Sequence, residues 1–292
     1  MSQTIDDRFF YHSPLSPKQE VLCYESLWAE STGVTFKVLE ESLQRKLPSS
    51  LYSRIPQKTK ETVQEYLNKI ESYKYDVLIR ETIDYPRKLS LLEIPLLYYS
   101  GDIGLIESPC ISIVGARKAS PRGIKAAQMI AKGLSEFGYT IVSGLAAGID
   151  TAAHTSAIEA GGKTIGVIGT PLNQAYPKEN INLQEKIGVE HLLLSHVPFF
   201  KYAQQNYKIN RGFFPERNKV MAALSEATII AEASDTSGSL IQARECFRLN
   251  KKLIILKPTY DDKSLTWPRT YVSRGAVVAE TLADIKKILN PA

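Results

Sequence analysis

The chain has 292 residues, of which 43% are hydrophobic and 23% are charged, a composition that excludes bulk disorder and allows a sizeable core. Its length suits one large α/β domain with a smaller one. No basic segment followed by an apolar one opens the chain, and no apolar run approaches about 18 residues, so we expect a cytoplasmic protein that neither is secreted nor spans a membrane. The formal net charge of +5 is compatible with an anionic partner such as a nucleic acid.

The first 75 residues carry apolar side chains at helical spacing. Val63, Tyr66, Leu67 and Ile70 mark the clearest amphipathic helix, which predicts a small helical domain over residues 1–80. The second domain then covers residues 81–292, and Leu96–Tyr99 is its first predicted strand.

Beyond residue 110, short apolar runs alternate with helical patterns. Strands are predicted at Ile111–Val114, Thr140–Ser143, Thr164–Ile168, Leu192–Ser195, Thr228–Glu232, Leu253–Leu256 and Ala276–Ala279. Helices are predicted at Ile124–Phe137, Thr151–Ala160, Asn182–Ile187, Lys219–Ser225, Leu240–Leu249 and Leu282–Leu289. This alternation predicts an α/β fold of the Rossmann-like, doubly wound type, with a mostly parallel sheet covered on both faces. Ligands of such sheets bind beyond the carboxyl ends of the strands.

The three cysteines, Cys23, Cys110 and Cys246, lie too far apart for a zinc site of the CxxC type. Their odd number argues against a disulfide framework. We therefore predict buried thiols and no metal site.

The first strand end, within Cys110–Gly123, resembles an anion-binding turn. Gly115 lets backbone N–H groups approach a ligand, and Arg117, Lys118 and Ser120 stand where a helix begins. A helix start with N–H donors and cationic side chains attracts phosphate. The alternative is an ordinary strand-to-helix turn with a solvated arginine, and this segment alone does not decide between them.

The second strand end, Ser143–Asp150, includes Gly144 and closes on Asp150, which we interpret as the cap of the next helix. His154 is a candidate general base, although a lone histidine inside a helix is more often structural. The GKT sequence at the end of Gly161–Thr164 lies between a helix and a strand, the reverse of a P-loop, so its glycines are interpreted as a helix C-cap.

The connection Pro198–Asn218 has no clear periodicity, which is typical of a functional or a disordered loop. It combines basic side chains with aromatic ones, as single-strand binders do. These residues are Lys201, Lys208, Arg211, Arg217 and Lys219 with Tyr202, Tyr207, Phe213 and Phe214. The alternative interpretation buries Phe213 and Phe214 in the core and leaves the charges solvated.

A second phosphate cradle is predicted in Glu232–Ala243, from the backbone N–H groups of Ser237, Gly238 and Ser239 at the start of a helix. Because all these segments follow strands, we expect the two cradles and the basic loop to converge on one cleft.

Together the segments GARKAS, IVSGLAAGID, GTPLNQAYPKEN, FPERNKVMAALS and EASDTSGSL resemble the DprA/Smf family of DNA-processing proteins, over Tyr85–Pro258. The resemblance implies a non-enzymatic protein that binds single-stranded DNA, forms a homodimer and helps to load a RecA-type recombinase in transformation. It requires no cofactor and no catalytic residue. The predicted DNA- and phosphate-binding residues are Gly115, Arg117, Lys118, Ser120, Gly144, Arg217, Asn218, Lys219, Ser237, Gly238 and Ser239.

Two other functions stay open. Ser195-His196 replaces the family's usual SE, and the N-terminal region is divergent, which also suits a DprA-like antitoxin that neutralises a cognate toxin in a two-gene or phage-defence module. The related LOG-type nucleotide phosphoribohydrolases have a catalytic Glu where this chain has Gln242. Since a carboxamide cannot act as a general base, hydrolysis is disfavoured.

Overall fold

The structure is a computed structural model that describes residues 15–31 and 36–290; the first residues, on which the expectation about secretion rests, lie outside these ranges. Within them, nine strands form one sheet. The strands are β1 (Asp76–Ile79), β2 (Leu96–Gly101), β3 (Cys110–Gly115), β4 (Thr140–Ser143), β5 (Thr164–Ile168), β6 (Leu192–Ser195), β7 (Ala227–Glu232), β8 (Lys252–Leu256) and β9 (Val277–Ala279).

The α-helices of the described residues flank this sheet, and a 3-10 helix, Pro48–Arg54, lies among the first of them. They are α1 (Pro17–Glu30), α2 (Phe36–Leu43), α3 (Gln57–Lys69), α4 (Pro121–Ser135), α5 (Ile149–Glu159), α6 (Ile181–Glu190), α7 (Phe199–Gln204), α8 (Tyr207–Asn210), α9 (Phe213–Leu224), α10 (Ser239–Arg248), α11 (Lys257–Asp261), α12 (Trp267–Val272) and α13 (Leu282–Leu289). No helix in the described part of the chain is both long and apolar enough to cross a membrane.

The sheet has the order β1-β2-β6-β5-β4-β3-β7-β8-β9. Strands β3 to β9 pair in parallel, whereas β2 pairs antiparallel with both β1 and β6. From β3 the chain builds outward through β4, β5 and β6, and β7 then starts the other half. The topological switch point therefore lies between β3 and β7, which is where doubly wound sheets bind ligands.

Helices cover both faces of the sheet, because side chains of each central strand alternate between two apolar clusters. On β3, Ile111 and Ile113 pack with α4, α5 and α13, whereas Cys110 and Val114 pack in the cluster that includes α9 and α10. These layers confirm the predicted Rossmann-like fold. All three cysteines are buried thiols, as predicted.

The N-terminal helices share the larger cluster. Tyr24 and Trp28 of α1 belong to the same group of buried side chains as Tyr98 of β2 and Phe199 of α7. The division at residue 80 stays a prediction. Strand β1 (Asp76–Ile79) precedes that boundary in the sequence and pairs with β2 of the sheet.

One prediction about the loops is wrong. The connection 198–218, expected to lack regular structure, contains α7, α8 and the first half of α9. The Asn206 side chain accepts from Ile209 N–H and so caps α8. Helices of four to six residues are too short to produce an apolar period. Helix α9 begins at Phe213, six residues before the predicted start at Lys219. Pro215 is tolerated there because it lies in the first turn, where a missing N–H breaks no helical hydrogen bond.

Candidate nucleic-acid interface

A cleft of about 1100 Å³ opens at the carboxyl ends of β3 and β7, the switch point of the sheet. Five cationic residues and three carboxylates line it. The cations are Arg117, Lys118, Arg122, Arg211 and Arg217, and the carboxylates are Asp150, Glu232 and Asp262. All of the predicted binding residues line this cleft except Gly144 and Lys219.

The predicted cradle at the start of α4 is already occupied by a side chain of the protein. The Glu232 carboxylate accepts from Ser120 N–H at 3.0 Å and from Ser120 Oγ at 2.6 Å, and Ser120 Oγ in turn caps α4 by accepting from Gly123 N–H. A carboxylate at a helix N-terminus is stabilised by the same donors that would bind phosphate. This end of the cleft is therefore neutralised from within, which the sequence interpretation did not anticipate.

Gly115 also has a different role from the predicted one. A Cβ at this position would lie 2.6 Å from the Glu232 carbonyl oxygen and 2.7 Å from Ile149 Cγ1. The glycine thus lets β3 approach β7 and α5 within the protein, although it does line the cleft.

Arg117 is exposed on the rim of the cleft, beside an aromatic wall formed by the rings of Tyr176, Tyr207 and Phe214, and its role in binding DNA stays a prediction. Its guanidinium lies 5.9 Å from the Tyr176 ring centroid and 5.6 Å from that of Phe214. Tyr176 and Tyr207 join their hydroxyl groups at 3.1 Å. These distances allow cation–π contacts that orient the Arg117 guanidinium at the entrance of the cleft.

Of the two phenylalanines in the long connection, Phe213 fits the core interpretation, whereas Phe214 lines the cleft. Phe213 is buried and packs against Trp28 and Phe36, as the core interpretation expected. Phe214 lies half-buried in the cleft, with Arg117 on it and the Arg217 guanidinium 5.9 Å from its centroid.

Arg217 is a buried residue at the floor of the cleft, 5% exposed, and not a surface cation. Its Nη1 donates to the Gly144 carbonyl and, at 3.0 Å, to that of Val167. The Asp150 carboxylate faces it. Burial lowers the pKa of Arg217 to about 10, and Asp150 opposes that shift. Arg217 therefore stays charged at neutral pH.

Gly144 and Asp150 both serve this buried arginine. A Cβ on Gly144 would lie 1.6 Å from Arg217 Nη1, so only glycine leaves room for the guanidinium. Asp150 lies inside α5, which starts at Ile149, and accepts from Gly144 N–H at 3.1 Å and Ala146 N–H at 3.4 Å. The prediction that Asp150 caps this helix is thus wrong, because Gly148 is the N-cap.

The second predicted cradle keeps only part of its donors. Ser237 N–H donates to the Ser234 carbonyl, and Ser239 N–H lies 3.3 Å from Ser237 Oγ, so both already have partners within the loop. Ser239 Oγ reaches the Gly115 carbonyl at 3.2 Å, which joins the loop to β3. Asn218, also buried, donates from its side chain to the Gly238 carbonyl at 3.0 Å and so fixes this turn.

Lys219 lies outside the cleft lining. Its Nζ pairs with the Glu216 carboxylate at 2.8 Å on the surface of α9. On a helix, consecutive residues point in directions about 100° apart, so Arg217, Asn218 and Lys219 do not share one face.

His154, the candidate general base, and Gln242, at the place of the hydrolases' glutamate, are both buried in the core. His154 is fully buried, its Nδ1 lies 2.6 Å from Thr164 Oγ1, and burial lowers its pKa to about 3. Gln242 is fully buried and donates to Thr228 Oγ1 at 3.1 Å. The GKT glycines cap α5 as predicted, with Gly161 at a φ of 72° and Gly162 N–H donating to the Ala157 carbonyl.

Five charged residues of the cleft are absent from the predicted binding residues: Arg122, Arg211, Asp150, Glu232 and Asp262. Arg122 follows the predicted helix start at Pro121, and Arg211 was counted in the basic loop, so both carried a usable signal. Glu232 carried none, because its partner Ser120 is 112 positions away in the sequence.

Comparison with known proteins gives this cleft a context. A family model described as DNA recombination-mediator protein A matches residues 74–290. The chain belongs to this family. It is 46% identical over 203 residues to the DNA processing protein DprA of Streptococcus pneumoniae, and the aligned part covers 69% of this chain and 70% of that protein. The match confirms the family resemblance inferred from the motifs.

Solved structures of the family agree with the fold. The crystal structure of DprA from Streptococcus pneumoniae matches with a TM-score of 0.69 and 31% identity, covering 92% of this chain and 91% of that one. DNA processing protein A from Helicobacter pylori, whose structure was described for its single-stranded DNA binding mode, matches with a TM-score of 0.63 and 27% identity. That comparison covers 74% of this chain and 96% of the other.

Proposed function

We propose that this member of the family binds single-stranded DNA in the cleft at the switch point, without catalysis and without sequence preference. The observation that carries the proposal is the charge of the rim. Four exposed cations, Arg117, Lys118, Arg122 and Arg211, surround the cleft. The Helicobacter pylori relative, described as a single-stranded DNA binder, supports the same ligand.

The three carboxylates of the cleft offset only part of this charge. Asp150 faces the buried Arg217, and Glu232 is held by Ser120, so both have partners inside the protein. Asp262 accepts from Ser264 N–H and Oγ. With five cations against three carboxylates, the cleft keeps a net positive charge, which favours phosphate binding.

The aromatic wall suits a strand whose bases are exposed. Tyr207 is 54% exposed and Tyr176 is 37% exposed, so their rings are accessible to an unpaired base beside the guanidinium of Arg117. Stacking on aromatic faces stabilises single strands with little sequence preference, because every base has a π-face. A duplex, with its bases already stacked on each other, gains less from this wall.

The test is the affinity for a labelled oligonucleotide across ionic strength. With three to four phosphate contacts we expect log K to fall against log salt with a slope of about −2 to −3. Arg117→Gln should weaken binding by about tenfold and reduce the magnitude of the slope by about 0.7. Arg87→Gln, an exposed arginine outside the cleft, is the matched control and should leave both unchanged. No binding at low salt would refute the proposal.

The non-enzymatic interpretation is supported by the buried amide of Gln242, which stands where hydrolases of the related fold have a carboxylate. We expect no release of base from nucleoside monophosphates at high protein concentration. Turnover would overturn this part of the proposal.

The partners implied by the family resemblance stay predictions. A homodimer should be detected by sedimentation. A RecA-type recombinase should load faster onto single-stranded DNA in the presence of this protein. The antitoxin hypothesis predicts a neighbouring gene whose expression alone is lethal. It has no specific support from the cleft.

A further inference from the structure

Glu25 of α1 is a fully buried carboxylate at the boundary between the N-terminal helices and the sheet. Its Oε1 accepts from Phe199 N–H at 2.7 Å and from Tyr98 Oη at 2.6 Å, and its Oε2 accepts from Phe200 N–H at 3.0 Å. Phe199 and Phe200 are the first two residues of α7, whose N–H groups have no partner inside the helix. One side chain thus holds the start of α7.

The surroundings of Glu25 leave it without a cationic partner among the described residues that face it. The titratable groups around it are the tyrosines Tyr66 of α3, Tyr75 before β1, Tyr98 of β2 and, behind Tyr98, Tyr24 of α1. Lys201, the cation of α7, donates instead to the Ser31 carbonyl. The carboxylate is therefore stabilised by hydrogen bonds and the helix start alone.

Glu25 is consequently poised to titrate. Burial raises its pKa to about 7, while the bonds from Tyr98, Phe199 and Phe200 lower it. The pKa values of Tyr66, Tyr75 and Tyr98 are raised above their usual range, so these groups stay neutral when Glu25 titrates. Protonation of Glu25 weakens the bonds to α7, because N–H groups bind a neutral acceptor less strongly than a charged one.

Helix α7 is connected to the rim of the cleft by short contacts. The Asn210 side chain, buried, donates to the Tyr202 carbonyl of α7 at 3.0 Å, and the Tyr202 ring packs 6.1 Å from that of Phe213. Tyr207 and Arg211, on either side of Asn210 in the sequence, line the cleft. A displacement of α7 therefore moves the segment that presents these two side chains.

We propose that Glu25 is a positioning residue for the cleft: it fixes the start of α7 and thereby holds Tyr207 and Arg211 at the rim where the DNA binds. The proposal rests on the proposed function. According to this proposal, the N-terminal helices contribute to DNA binding indirectly, because Glu25 of α1 positions rim residues without contacting the DNA.

The test compares Glu25→Gln with Glu20→Gln. Both glutamates are buried on α1, but Glu20 accepts from Ser49 N–H and Oγ, at the 3-10 helix and away from α7. Glutamine preserves the size of Glu25 but presents an NH₂ group to the donors of α7. We expect Glu25→Gln to speed hydrogen exchange over residues 199–214 and to weaken oligonucleotide binding by about five- to tenfold. Glu20→Gln should do neither.

The pH profile separates positioning from a general loss of structure. At pH 8, where Glu25 is ionised, the wild type should bind more tightly than Glu25→Gln, and the difference should shrink towards pH 6, where protonated Glu25 resembles glutamine. If Glu25→Gln does not fold, Tyr98→Phe serves instead. It removes a hydrogen bond that lowers the pKa of Glu25, so the midpoint of the binding profile should move to higher pH.

The outcomes are distinguishable. If the wild type does not bind DNA, the proposed function fails and this proposal fails with it. If exchange over 199–214 rises in Glu25→Gln while its affinity stays at the wild-type value across pH, only the positioning role is overturned. Equal effects of Glu25→Gln and Glu20→Gln would overturn it as well.

Discussion

Replacing Arg217 with methionine removes a buried charge from the floor of the cleft while keeping most of the side-chain volume. The lost guanidinium donates to two backbone carbonyls, Gly144 and Val167, and faces the Asp150 carboxylate. Hydrogen bonds to a charged group contribute about 1.5–3 kcal/mol each, and the substitution removes two of them. We therefore expect Arg217→Met to lower the free energy of unfolding by about 3–5 kcal/mol.

Since a domain is stable by only about 5–15 kcal/mol, this loss is a large fraction of the total. The assay is urea unfolding at pH 7, followed by circular dichroism. Asp150→Asn in the wild type and in Arg217→Met completes a double-mutant cycle. Asp150→Asn should cost less in the Arg217→Met background, because no guanidinium faces the carboxylate there and only its backbone N–H donors remain. A cost below about 1 kcal/mol for Arg217→Met, with DNA binding lost, would show that Arg217 is a ligand contact and refute the structural role.

Two further predictions concern charged groups. His154 has a pKa lowered from 6.5 to about 3 by burial, so the neutral ring stabilises the fold fully above pH 6.5, and this stabilisation is lost as pH falls towards 3. At about 1.4 kcal/mol per pH unit the loss reaches about 5 kcal/mol, and His154→Asn should flatten this part of the stability profile. Glu232→Gln keeps an acceptor for Ser120 but removes the negative charge at α4, so oligonucleotide affinity at low salt should rise about threefold.

Controls for these two variants are available in the chain. Unfolding of wild type and His154→Asn in urea between pH 7 and pH 4 gives parallel curves if His154 does not contribute, which would contradict the assignment. For Glu232, the exposed Glu226 precedes β7 at the opposite edge of the sheet, so Glu226→Gln makes the same charge change far from the cleft. Equal gains in the two variants would indicate a general charge effect.

The fully buried strands and the clearly amphipathic helix were predictable. The bounds of β4, β5, β6 and α13 agree with the prediction, because buried parallel strands and an amphipathic helix leave clear patterns. Strand β1 was missed because only its last two residues are buried, whereas the equally short β4 and β6 are buried throughout. Its pairing with β2 depends on long-range packing against α1, which no local pattern records.

The site was predictable in its location and less so in the role of each residue. Strand ends of a doubly wound sheet converge, which brought Arg117 and Ser239 into one cleft as expected. Roles failed where the deciding partner is distant in sequence. Gly144 makes room for Arg217, and Glu232 occupies the start of α4, contacts that span 73 and 112 positions. Arg217 is likewise buried at the floor of the cleft, which its local sequence does not record, and the DNA contact expected of it stays a prediction.

The carboxylate of Glu232 at the start of α4 has a consequence for selectivity among the anions of a cell. A small solute such as a free nucleotide has few charges, and here one of the two helix starts that would attract it is already satisfied by Ser120 N–H and Oγ. A long strand can instead engage several rim cations at once, releasing counterions at each. Under the proposed function, the Glu232 carboxylate would therefore disfavour small anions such as nucleotides more than a strand that contacts several rim cations, so that multivalency and not shape would discriminate between them.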